Sequence, residues 1–220
     1  VDNASIDGSV EYLKKEFPSV KVVESKENLG FGGGNNLGVK EYPNYDAYLF
    51  LNNDISVPKG FLDNLVKELQ KEDVGAVGPK ILYSKEKVGS EKRIINSAGI
   101  YVDRHYMAYD RYDKEEDNPK YSVVEKIDAL MGGAFLVKRE VFERVGGFNP
   151  NMFLYYEDID PVSYTHLRAH ETVLDLVCRL LLEKKNNSQL PSPNCVPLTP
   201  VHSTNDIHIL TTYSSTSQHN

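Results

Sequence analysis

Residues 46–51 read DAYLFL, an aromatic and aliphatic run of strand length that ends abruptly in Asn52-Asn53-Asp54. Its apolar residues do not alternate with polar ones, so a strand made from it has no face to offer to water. Strands of that kind belong in sheets covered by helices on both sides. VGAVGP (74–79) is a second short run of the same type. Between the two, Pro58 introduces FLDNLVKEL, in which Phe61, Leu62, Leu65, Val66 and Leu69 fall along one helical stripe. Strand, helix, strand in that order predicts an α/β layer fold with a largely parallel sheet.

The flanking sequence extends this pattern. Val10–Phe17 has the spacing of a short amphipathic helix entered through Gly8 and Ser9, and VKVVE (20–24) reads as a strand. Downstream, the Tyr-rich polar stretch from Tyr101 to Tyr121 reads as an insertion. VEKIDALMGGAFLVKREVFERVGGF then predicts strand, Gly-Gly, strand, a helix over Arg139–Val145 and a Gly-Gly stop. No apolar stretch approaches the roughly 18 residues of a membrane span. The formal net charge of -7 argues against a nucleic-acid partner, because phosphate backbones are held by clustered Lys and Arg.

Polar groups collect in three places: Asp2 with Asn3, Asn52 to Asp54, and Glu157, Asp158 and Asp160 within FLYYEDID. Any one alone reads as a solvated turn, or, for the acidic run, as carboxylates that favour a helix N-terminus. At the ends of apolar strands, the three together fall where open α/β sheets hold ligands. The Asp54 carboxylate beside amide oxygens offers hard ligands of the kind that bind Mg²⁺ or Mn²⁺ against substrate phosphates. NLGFGGGNNLGV (28–39) invites a dinucleotide-binding reading, but the glycine fingerprint is out of frame, with no acidic residue about 20 positions on in a βαβ unit. The expectation is instead a loop whose glycines admit close backbone approach to a ligand, with a helix starting at Asn35 and Asn36.

Taken in order, VDNASIDGS, NLGFGGGNN, LFLNND and GGAFLVKREVFERVGGF followed by FLYYEDID resemble the family 2 glycosyltransferases, especially the branch that includes bacterial rhamnosyltransferases. The resemblance runs almost continuously over residues 1–160. It implies a GT-A fold, an α/β architecture with a mixed, mainly parallel sheet flanked by helices. It also implies inverting transfer of a sugar from a nucleotide-sugar donor (a UDP- or dTDP-sugar) to a hydroxyl of a glycan or lipid-linked acceptor. By that likeness Asp2 contacts the donor's nucleoside, with Asn3, Gly33, Asn35 and Asn52 on the donor side, and Asp54 holds Mg²⁺ or Mn²⁺ on the diphosphate. Asp158 is the base that deprotonates the acceptor, Glu157 orients the acceptor, and Gly132 and Gly133 let it come close to the backbone. The family's D-x-D stands here as Asn52-x-Asp54, with one carboxylate replaced by an amide. The likeness further places the protein in the cytoplasm at the inner membrane face, in polysaccharide synthesis.

The domain expected from this likeness covers residues 1–161 and is incomplete at both ends. The family's first strand and helix belong before Val1, and Pro161 stands where the family continues with Leu and a helix. The fragment is therefore expected to be inactive. Past Pro161 the composition changes: residues 162–220 hold none of the 15 glycines, both cysteines and five of the six histidines. VSYTHLRAHET and its continuation through LVCRLLLEKK resemble one reading frame of a transposase-type sequencing adapter and its flow-cell primer. Residues 162–185 are accordingly expected to be translated adapter, capable of forming a helix, and 186–220 a disordered, non-native tail. The competing reading of 162–185 is an amphipathic membrane-surface or dimer helix, with His166 and His170 imitating a metal pair. For residues 1–161 the rival functions are a non-catalytic sugar-nucleotide-binding domain and, further off, a nicotinamide-dependent oxidoreductase.

Overall fold

The computed structural model describes residues 1–105 and 107–149 and, beyond them, two strands at 177–181 and 208–212. Helices α1 (Ser9–Glu16) and α2 (Gly30–Glu41) lead into strand β1 (Ala47–Asn52), helix α3 (Phe61–Leu69) and strand β2 (Val74–Pro79). A run of short elements follows: β3 (Ile81–Leu82), α4 (Lys85–Val88), β4 (Ile95–Ser97), β5 (Ile100–Val102), β6 (Ala108–Asp110), a 3₁₀ turn (Pro119–Tyr121) and β7 (Glu125–Lys126). The chain then forms β8 (Ala134–Lys138) and α5 (Arg139–Val145), and the two outlying strands are β9 (Val177–Leu181) and β10 (His208–Thr212).

The main sheet runs β10-β1-β8-β2-β9-β7, and two small sheets pair β3 with β4 and β5 with β6. β8 is antiparallel to both β1 and β2, which are therefore parallel to each other. β10 joins β1 and β9 joins β2 in parallel. The unbroken apolar runs do what their lack of alternation requires. Along β1, Tyr48 and Phe50 enter one cluster with Phe135, Val137, Val141, Phe142 and Phe148, which α5 covers and against which Phe31 and Val39 of α2 pack. Ala47, Leu49 and Leu51 enter the other cluster with Leu65 and Leu69 of α3. Strand period two sends neighbours to opposite faces, so each face of β1 is sealed by helix. Gly146 and Gly147 stop α5 at φ +85° and +74°, backbone angles that cost glycine little.

Four expectations differ from the structure. The glycine run 30–34 is helix, since α2 begins at Gly30 rather than at Asn35. Its small residues let other parts of the chain pack onto it: a Cβ on Gly32 would lie 2.9 Å from the Phe148 Cβ, and one on Gly34 would lie 2.9 Å from Asn3 Nδ2. The strand expected at 20–24 shrinks to a single parallel bridge between Asp2 and Glu24. Val20 and Lys21 there are exposed, so no buried face holds a longer ladder. Val177–Leu181 is strand in a segment read as capable of forming a helix, and His208–Thr212 is strand within the expected tail; open edges of β2 and β1 supply backbone partners to both. The rest of 162–220 lies outside the described residues. Among the described residues no helix is long and apolar enough to cross a membrane.

Candidate functional site

The site is built where β1 ends. Asn52 closes the strand by donating its N–H to the Gly133 carbonyl at 2.8 Å, and Ile55 N–H turns back onto the Asn52 carbonyl at 3.3 Å. That turn lifts Asn53 and Asp54 out of the sheet, where both are exposed. Gly133 is buried, and the space a side chain would need is filled: a Cβ there would sit 2.8 Å from Met131 Sδ and 3.0 Å from Ile55 Cδ1. Gly133 thus admits close approach by the chain's own Met131 and Ile55, which hold the start of β8 against the end of β1.

A second group forms around the N-terminal motif. Asp2 N–H donates to the Val23 carbonyl at 2.7 Å and its carbonyl accepts from Ser25 N–H at 2.9 Å. Ala4 then takes φ +63°, a left-handed angle uncommon for a residue with a Cβ. The resulting turn brings Ser5 N–H onto Asp2 Oδ2 at 3.0 Å. Asp2 is only 4% exposed, and among the described residues its Oδ1 and the Ser5 Oγ have no hydrogen-bond partner.

Asn3 straps this turn to α2: its Nδ2 donates to the Gly30 carbonyl at 2.8 Å and its Oδ1 accepts from Leu29 N–H at 3.3 Å. Asn28 Oδ1 takes the Gly30 N–H at 2.9 Å, so side chains from outside the helix satisfy backbone groups at an end where Leu29 offers no cap of its own. Asn35 is 1% exposed, with neither amide atom partnered among the described residues. Asn36, by contrast, is spent on Phe148: Nδ2 donates to its carbonyl at 2.7 Å and Oδ1 accepts its N–H at 3.0 Å.

The structure therefore joins Asp2, Asn3, α2 and Gly34 in one group, and Asn52, Asp54 and Gly133 in another. Gly33 lies on the partly exposed side of α2, against the Leu29 side chain. Glu157 and Asp158 lie outside the described residues. Among the described residues no three His, Cys, Asp or Glu side chains gather to hold a metal ion. Ser5 and Met131 were missed by sequence reasoning; the Asp-x-x-Ser spacing of residues 2–5 is the signal that could have found Ser5, because such residues fold back on nearby backbone.

A family model described as Glycosyl transferase family 2 matches residues 1–146. The chain belongs to that family. Among its relatives, a low-salt glycan biosynthesis hexosyltransferase of Haloferax volcanii is 25% identical over 168 residues, spanning 73% of this chain and 50% of its own. The N-acetylglucosaminyl-diphospho-decaprenol L-rhamnosyltransferase of Mycobacterium tuberculosis is 27% identical over 179 residues, spanning 72% of this chain and 57% of its own. The chain thus spans little more than half the length of these curated relatives. In fold it is similar to GalNAc-T7, solved with UDP, GalNAc and Mn²⁺, with a TM-score of 0.57 at 15% identity over 80% of this chain and 33% of that one. The GT-A fold expected from the motif order is the fold of this family 2 domain.

Proposed function

We propose that this family 2 domain belongs to a metal-assisted, inverting glycosyltransferase that moves a hexosyl or rhamnosyl group from a nucleotide sugar to a hydroxyl of a glycan or lipid-linked acceptor. Asp2 carries the reading: a carboxylate 4% exposed, with one oxygen held by the Ser5 N–H and the other without a partner among the described residues. A buried acceptor left without a donor costs about 1–3 kcal/mol, and a nucleobase N–H is a donor that would relieve it. The unpartnered amide of Asn35 supports the same reading from the adjoining helix.

Asp54 and Asn52 are the residues that would hold a divalent cation. Mg²⁺ takes one or two carboxylates and completes its shell with water and substrate phosphate oxygens, so a single exposed carboxylate at a strand end fits it without a protein-built cage. Once bound, the cation would offset charge on the departing nucleoside diphosphate. Asp158 would take the proton of the acceptor hydroxyl as its oxygen bonds to the anomeric carbon and the bond from that carbon to the diphosphate oxygen breaks. Work at the cytoplasmic face of a membrane fits a lipid-linked acceptor, and the relatives' names support that class of substrate.

Titration calorimetry of the full chain with UDP and dTDP, with Mn²⁺, with Mg²⁺ and with EDTA, tests this. Metal-dependent binding that Asp54→Ala abolishes and Asp2→Asn weakens by about tenfold is the expected outcome. Binding indifferent to EDTA and to Asp54→Ala would overturn it, as would metal-free binding of NADH. A domain that binds sugar nucleotides without turnover is the second reading, favoured by the amide at Asn52. Release of free sugar from an added UDP- or dTDP-sugar would decide for the first reading over the second.

A further inference from the structure

The described tyrosines between Tyr83 and Tyr121 are of two kinds. Tyr112 and Tyr121 stack at 4.4 Å, with Arg111 and Lys120 over their rings and the Tyr121 hydroxyl donating to Glu115 at 2.9 Å. Tyr83 donates to Asp113 at 2.8 Å. Tyr101 and Tyr109 do none of this. They are directly opposed on the β5–β6 hairpin, and opposed residues share a face with their Cβ atoms about 5 Å apart. That face is the outward one, since Ile100 is buried while both tyrosines are 53% exposed. Neither ring stacks on another among the described residues.

Described residues at both ends of the hairpin are held by hydrogen bonds. At its base Ile100 and Ala129 exchange backbone hydrogen bonds at 2.8 and 3.3 Å, and Val102 N–H donates to Asp128 Oδ2 at 3.0 Å. At its tip the Asp103 carboxylate accepts from His105 and Met107 N–H at 2.8 and 3.0 Å. Ala129 is four residues before Gly133, at most about 14 Å of chain, and Gly133 is bonded to the end of β1. Two exposed aromatic rings thus stand on a hairpin that is linked through Ala129 and the residues up to Gly133 to the turn beside Asp54.

We propose that Tyr101 and Tyr109 form a stacking subsite for the sugar chain of the acceptor, an inference that rests on the glycosyltransferase reading. The negative face of an aromatic ring attracts the weakly positive C–H bonds of a sugar, and a phenol hydroxyl can donate to or accept from a sugar hydroxyl. A neutral glycan is the favoured occupant. Asp103 and Asp110 near the pair are offset in sequence by Arg104 and Arg111, so the hairpin offers no basic patch, and the chain carries a net charge of -7, which opposes an anionic lipid surface.

The full chain contains 14 tyrosines and no tryptophan, so tyrosine fluorescence, together with saturation-transfer NMR, reads the titration. The probes are linear neutral hexasaccharides of glucose, of N-acetylglucosamine and of rhamnose, and phosphatidylglycerol-rich vesicles. At least one hexasaccharide binds the wild type; Tyr101→Thr/Tyr109→Thr, which keeps strand propensity, weakens it by roughly tenfold, and Tyr101→Phe/Tyr109→Phe retains most of it. Should the double threonine variant melt early, Tyr109→Thr alone carries the test, with a smaller loss in the same direction. Binding unchanged in the threonine variants, no hexasaccharide binding to the wild type, or tyrosine-dependent vesicle binding in place of it each overturns the proposal. UDP with Mn²⁺ is titrated into the same samples: if it fails while the tyrosine-dependent hexasaccharide binding stands, the donor reading falls and the stacking subsite survives.

Discussion

The sheet around β1 and the segment from Lys80 to Lys126 are neighbours held by different forces. Phe50, fully buried, has the rings of Phe135, Phe142 and Phe148 at 5.0, 5.3 and 5.0 Å. The segment from Lys80 to Lys126 has a small apolar centre of Ile95, Ala98 and Tyr121 and is otherwise fastened largely by charge. Asp117 pairs with Lys80 and, at 3.1 Å, with Arg93, and Arg111 pairs with Glu125 at 2.6 Å. Apolar burial is non-directional and shared among many contacts, whereas a buried ion pair depends on a few atoms and fails when one partner is lost. The residues proposed for the donor side, Asp2, Asn3 and Asn35, thus rest against the apolar body, while the tyrosine face stands on the charged appendage. The second can be disturbed without the first.

The largest test of that division is Phe50→Ala. It empties the centre of one core cluster and should cost about 3–5 kcal/mol, seen as a lower urea midpoint for the whole domain. Next comes Asp117→Ala. The Lys80 side chain is only 3% exposed, and stripping it of its partner should cost about 3 kcal/mol. The loss should be local: amide exchange should quicken across 81–121 while β1 and β8 stay protected. Replacing both partners, Lys80→Met with Asp117→Leu, should recover much of it. Equal loss of protection in β1 would break the division, because Lys80 directly follows β2 and would then be part of the core.

Much of the apolar body was legible because its signals are local and redundant. DAYLFL and VGAVGP carry their burial in every residue, and β1 and β2 form at those positions; α5 forms at Arg139–Val145 between a strand and a Gly-Gly stop. Helix α2 was not legible. Its glycines have poor helix propensity, and the helix stands on contacts that only the fold provides, Phe148 over Gly32 and Asn3 over Gly34. The strand expected at 20–24 failed for the opposite reason, a good strand composition without a face to bury. Of the candidate site, Asp2 was visible as a polar residue of the N-terminal motif and Asn52-x-Asp54 as polar residues at a strand end. The strap by Asn3, the turn through Ala4 and the unpartnered Asp2 oxygen depend on atoms far apart in sequence, as does the Lys80–Asp117–Arg93 junction.

The smallest effect sharpens the comparison by giving the apolar body a pH handle of its own. Tyr48 is fully buried and its hydroxyl donates to the Pro43 carbonyl at 3.0 Å. Burial pushes its phenol above the ordinary range, against the pull of Arg139. A raised pKa means that the folded state holds this proton more tightly than the unfolded one. Its contribution is therefore complete below the ordinary tyrosine value of about 10 and is lost as pH rises toward the folded value. Tyr48→Phe removes the hydrogen bond and should cost about 1 kcal/mol at neutral pH. Above about pH 10 the wild type begins to lose stability that the variant never had, so the gap between them should narrow. Urea unfolding of both proteins from pH 7 to 11 measures this, and taking the difference cancels the other tyrosines. A gap that stays constant across that range would mean that the Tyr48 hydroxyl reaches water as the pH rises, and that this face of the sheet is less sealed than its neighbours.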